Sequence, residues 1–121
     1  MYQTDIRIGD WVSHREGYGQ INLIYGDTVI IDTYQSDIAA LEPIPLTIEM
    51  LENNGFTVGN YNEWSNPICS FLHFSIDNYE KKEFGVYARE TMEEVYLTTI
   101  KYVHEFQHIL YALNVHCNIV L

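Results

Sequence analysis

The sequence predicts an α+β protein: an N-terminal SH3-like small β-barrel, followed by antiparallel strands with one short helix and one longer C-terminal helix. Three observations carry this. Residues 6–46 fall into short β-branched runs separated by Gly and Asp, the pattern of a small, strongly bent antiparallel sheet. Pro43 and Pro45 force extended backbone and mark a boundary. Beyond them helical patterning occurs only at 47–53 and near the C-terminus, with strand-like stretches between. The expected organisation is a barrel over 1–46 and an α+β segment over 47–121. With 121 residues the two parts are small enough to share one core, and a chain of this size hides roughly two thirds of its unfolded surface on folding.

The elements follow in order. Ile6 to Val12 enters the first strand, and Glu16-Gly17-Tyr18-Gly19 turns into a second over 20–25. Gly26-Asp27 is a tight turn, because glycine accepts positive φ without a steric penalty. Thr28 to Thr33 is a β-branched strand, and 36–41 form one helical turn. Thr47 caps a helix over 48–53, with Gly55 as its left-handed C′ residue. The runs 56–58 and 62–64 pair across a turn at Gly59-Asn60. A further hairpin joins 68–76 to 83–88, placing Ile68, Ser70, Leu72, Phe74 and Ile76 on one side. Residues 94–97 read as a strand, and Thr98 or Thr99 caps the long helix from about Ile100 to Asn114.

Charge narrows the partners. Seventeen acidic residues against six basic give a net charge of −11, and residues 16–80 hold ten acids and no Lys or Arg. Direct nucleic-acid binding needs clustered cations that release counterions, so it is not expected. An acidic face suits a basic protein partner instead, with long-range attraction raising the association rate. The N-terminal residues show neither a basic nor an apolar leader pattern, and no run reaches the ~20 apolar residues of a membrane span. A cytoplasmic protein without a membrane partner is expected. Cys69 and Cys117 lie far apart, form no CxxC, and are expected to be reduced and packed.

One motif bears on chemistry. His104-Glu105-Phe106-Gln107-His108 matches H-E-x-x-H, in which two imidazoles on one helical face grip zinc and the Glu activates its water. A third ligand is required. The positions three and six beyond the second His hold Tyr111 and Asn114, and no acid follows Glu105, which leaves His116 and Cys117 downstream and His73 upstream. On a wheel of about 100° per residue starting at Val103, the stripe of Phe106, Leu110 and Leu113 lies nearly opposite His104 and His108. The pair is therefore expected to face outward. Cys69 or Ser70 with His73 lacks the context of an activated nucleophile.

Residues 41–56, Leu-Glu-Pro-Ile-Pro-Leu-Thr-Ile-Glu-Met-Leu-Glu-Asn-Asn-Gly-Phe, and 101–108, Lys-Tyr-Val-His-Glu-Phe-Gln-His, resemble a group of small uncharacterised proteins carried by phages and mobile elements of gut Bacteroidales. The group is typified by (L/I)EPIPLT-x-E-(I/L)L-x-x-NGF and a terminal YVH-x-LQ helix, and the opening Ile6 to Val12 is similar too. Gln often stands at the position of Glu105 and Leu at that of Phe106. The resemblance therefore implies that neither the base nor the second His defines the group, and it places the protein in a host cytoplasm.

These readings give three expectations. The first is a non-enzymatic protein-interaction module with no cofactor and no catalytic or metal residue. The second is a minimal zinc-dependent metallopeptidase with Glu105 as base and His104, His108 and His116 as ligands. The third is a small-ligand-binding module with its site at the barrel mouth.

Overall fold

The structure, a computed structural model, describes residues 1–59, 63–90 and 93–121. It is a mixed α+β fold with two antiparallel sheets, one short helix and one longer helix. The chain divides into two compact units. One is Met1–Pro45 with Tyr102–Gln107; the other is Leu46–Lys101 with His108–Leu121.

The first unit holds a meander of β1 (Trp11–His14), β2 (Gly17–Tyr25), β3 (Thr28–Ile31) and β4 (Tyr34–Asp37), in that spatial order. Gly26 makes the expected turn at φ +57°. Inward residues alternate along β3, where Val29 and Ile31 are buried, and they pack with Ile6, Val12, Ile21, Ile38 and Leu41 into one apolar cluster. Each such side chain contributes about 1.5–3 kcal/mol when fully buried. The first strand begins later than expected: residues 6–10 form a looped lead-in, with Gly9 at φ +95° and the Asp10 carboxylate accepting the Arg7 N–H at 2.8 Å. The strand β4 was not anticipated, and the helical turn before the prolines is a 3₁₀ turn over Ile38–Ala40. Ser13 and Glu42 exchange backbone hydrogen bonds of 2.9 and 3.0 Å. The pairings among the described residues leave β1 and β4 as edges, so they do not include a closed barrel.

In the second unit the α1 helix (Ile48–Asn53) follows its local signals closely. The Thr47 hydroxyl accepts the Met50 N–H at 3.2 Å. At the other end Gly55 N–H donates to Glu52 and Phe56 N–H to Leu51, the paired bonds of a Schellman motif, with Gly55 at φ +88°. The second sheet runs β5 (Thr57–Val58), β6 (Glu63–Ser65), β7 (Leu72–Asn78), β8 (Glu83–Glu90) and β9 (Glu93–Ile100) in spatial order. Thr57–Val58 pairs with β6 as expected, while Asn60 of the expected turn and Asn62 of the expected strand lie outside the described residues. Phe56 and Phe74 meet edge to face at 5.5 Å between centroids.

Two expected boundaries move. Ile68, Cys69 and Pro67 form a 3₁₀ turn rather than a strand, because Asn66 caps it by accepting the Ile68 N–H at 2.9 Å. Ile68 is accordingly exposed instead of sharing the face of Leu72 and Phe74. The long helix, α2, spans Val103–Ala112 and not 100–114. Thr98, Thr99 and Ile100 belong to β9, where β-branched side chains fit the pleat, and Leu113 is 38 % exposed beyond the helix end.

Candidate functional site

The residues of the H-E-x-x-H motif stand at the start of α2. Glu105 is the third residue of the helix, and its Oε1 accepts the backbone N–H of Tyr102 at 3.0 Å. This is the side-chain half of a capping box, which satisfies an otherwise unpaired donor at the helix entrance. The carboxylate offered by the motif as a general base is thus engaged in starting the helix. Its sign also suits the helix dipole there.

His104 does not face outward. It is buried, and its ring stacks on that of Tyr102 with centroids 5.9 Å apart and planes 15° from parallel. His108, one turn on, is half-buried, and His116 is exposed in the C-terminal tail. Single-sided burial, which the helical wheel assumes, fails in this first turn, where Val103, His104 and Phe106 are all buried. Among the described residues no three His, Cys, Asp or Glu side chains come together as a metal-binding group, and none of His73, His116 and Cys117 joins His104 and His108 in one.

Two of the nucleophile-site candidates sit in different elements. Cys69 lies in the 3₁₀ turn and His73 in β7. Burial pushes the Cys69 thiol up to about 11, with Cys117 adding to the rise, so the thiolate that would react is scarce near neutral pH. Burial raises Cys117 as well. Both cysteines are free.

Sequence reasoning missed a polar lattice on one face of the second sheet. The Arg89 guanidinium donates to Glu63 Oε2 at 3.1 Å, and the same oxygen lies 3.5 Å from Nδ1 of His73. The Tyr87 hydroxyl donates to the Asp77 carboxylate at 3.1 Å, which also receives Ser75 Oγ at 3.2 Å. Burial first, and then Asp77, hold the Tyr87 proton on above its ordinary value. Gly85 makes room: a Cβ there would sit 2.2 Å from the Asp77 carboxylate. The alternation of 63, 73, 75, 87 and 89 across three strands was the available signal. Because Ser75 gives its hydroxyl to Asp77, this lattice ties strands together and presents no free nucleophile.

What the second unit does offer is an edge. Among the described residues β9 closes the sheet on one side and pairs with β8 alone. Its Val95, Tyr96 and Leu97 are 52, 53 and 41 % exposed, three large apolar side chains in succession. The register with β8 runs from Glu93 to Tyr96 and resumes at Thr98, so Leu97 is a bulge residue. Tyr96 is fixed by an edge-to-face contact with Tyr87 at 5.6 Å and by its hydroxyl, which meets Thr99 Oγ1. An open strand edge exposes unpaired backbone donors and acceptors, ready to pair with another extended chain.

No helix among the described residues is long and apolar enough to cross a membrane. No protein-family model matches the chain, and neither does any curated protein or solved structure.

Proposed function

We propose that this protein is a non-enzymatic interaction module of the phage and mobile-element kind, acting in the host cytoplasm, whose β9 edge takes up an extended basic segment of a partner protein. The observation that carries this reading is the run of exposed apolar residues Val95, Tyr96 and Leu97 on the outermost strand of the sheet. Main-chain pairing would supply affinity and alternate side chains selectivity, the logic of strand addition.

Charge supports the choice of a basic occupant. Glu93 and Glu94 stand at the head of the same strand, in a chain of net charge −11. Like charges disfavour a second copy of the chain, and the Leu97 bulge breaks the regular edge, both ordinary protections against self-pairing. The first unit is read as the SH3-like barrel expected from sequence, supported by the Ser13 to Glu42 bonds and by the stacking of His14 of β1 on Tyr34 of β4 at 4.9 Å.

A labelled peptide of alternating Lys and Val tests the reading. Binding weakened by salt and abolished in the Val95→Lys, Leu97→Lys double variant is expected. Equal affinity in that variant, or no binding at low salt, contradicts it.

A further inference from the structure

We infer that the first unit carries a separate binding site for a small zwitterion of the amino-acid class, in the cleft between the end of β1 and β4. The cleft has a volume of about 500 Å³, within the range of small-molecule sites. The residues that line it include His14, Arg15, Tyr34, Asp37 and Glu42. This site is independent of the β9 edge and of the reading built on it.

Charge placement carries the inference. Among the described residues Arg15, Asp37 and Glu42 make no ion pair and no side-chain hydrogen bond, although all three line one cleft. One cation and two acids thus line the same cleft without pairing, in a chain with only six basic residues. A molecule bearing a carboxylate and an ammonium satisfies both ends at once: guanidinium matches carboxylate in a two-pronged fork, and the two acids receive the ammonium. A simple cation would leave Arg15 unmatched and repelled. A simple anion would leave both carboxylates so.

The aromatic wall is built rather than incidental. His14 and Tyr34 stack with planes 28° apart, bringing together side chains from the two edge strands of the sheet. The Glu16 N–H donates to His14 Nδ1 at 3.2 Å, which orients the ring. Gly19 lets it lie down: a Cβ at that position would be 3.1 Å from His14 Nε2 and 2.3 Å from Ile31 Cγ2. A flat side chain on the zwitterion finds a π surface here, so phenylalanine or tyrosine is the preferred probe.

The test is an NMR titration of the full chain with L-phenylalanine, its amide, and its N-acetyl derivative. The zwitterion should shift the signals of His14, Tyr34 and Asp37 with a Kd of about 1 mM or tighter, and removal of either charge should weaken it about tenfold. Arg15→Gln should weaken the zwitterion about as much, yet leave the amide unchanged. Asp37→Asn with Glu42→Gln should weaken the zwitterion and leave the N-acetyl acid unchanged. The absence of shifts at about 10 mM, or shifts indifferent to these exposed substitutions, would overturn the inference; Val95→Lys with Leu97→Lys should have no effect on it.

Discussion

Gln107 hydrogen-bonds the backbone of Trp11, 96 positions away in the chain: its Oε1 accepts the Trp11 N–H at 2.8 Å, while its Nε2 donates to the Gly9 carbonyl at 3.0 Å. This single carboxamide ties the turn at Gly9 to the first residue of β1. Gln107 therefore has a task in folding.

Replacing that amide should be costly. Gln107→Ala removes the side-chain acceptor of the Trp11 N–H and one of the two donors to the Gly9 carbonyl, which keeps Gln20 Nε2 at 3.0 Å, and should lose roughly 1–3 kcal/mol, read as a lower urea midpoint with unchanged slope. Gln107→Glu should lose at least as much, because a carboxylate oxygen then faces the Gly9 carbonyl.

The capping contact of Glu105 predicts a stability signature. Glu105→Gln keeps an acceptor for the Tyr102 N–H and should change stability little, whereas Glu105→Ala should lose about 0.5–2 kcal/mol. Urea unfolding of the two variants checks this. A peptidase base would show the opposite concern, with activity vanishing in Glu105→Gln.

Asn54 is a second clasp. Its Nδ2 donates to the Met50 and Val120 carbonyls at 2.7 and 2.9 Å, and its Oδ1 accepts the Val120 N–H at 2.7 Å. Asn54→Ala should free the C-terminal residues, seen as faster hydrogen exchange at Val120 with α1 still protected.

Alkaline pH should weaken the fold through Cys69. Its thiol loses a proton near 9 when unfolded and near about 11 when folded. The unfolded chain is then the readier to release the proton, so stability is complete below pH 9 and declines as pH rises toward about 11. Unfolding measured across that window should show the decline, reduced in Cys69→Ala. Thiol reagents at neutral pH should label half-buried Cys117 before buried Cys69.

Legibility in the sequence followed locality. The short helix was readable because Thr47 and Gly55, six residues of helix apart, each act on their nearest neighbours. The Tyr34–Asp37 strand was not, since its polar residues resemble a loop and only pairing with β3 makes them extended. Thr98 and Thr99 look like helix caps in isolation, but pairing with Val86 and Gly85 holds them in a sheet. The H-E-x-x-H pentapeptide was the loudest chemical signal, yet Glu105 caps a helix and Gln107 pairs with a strand. His104 is buried and stacks on the Tyr102 ring, neither of which a wheel records. The sheet lattice of Glu63, His73 and Arg89 needs register across three strands, and the exposed edge needs to know which strand comes last.

Residue-resolved amide exchange on the free protein and on its complex with the alternating Lys/Val peptide puts the account to its most direct trial. Outward backbone amides of Glu93 to Leu97 should exchange quickly in the free protein and slow at least about tenfold when the peptide pairs with them. Amides of β9 already protected in the free protein, or unchanged while the peptide is bound, would contradict the claim that this edge is where the protein meets its partner.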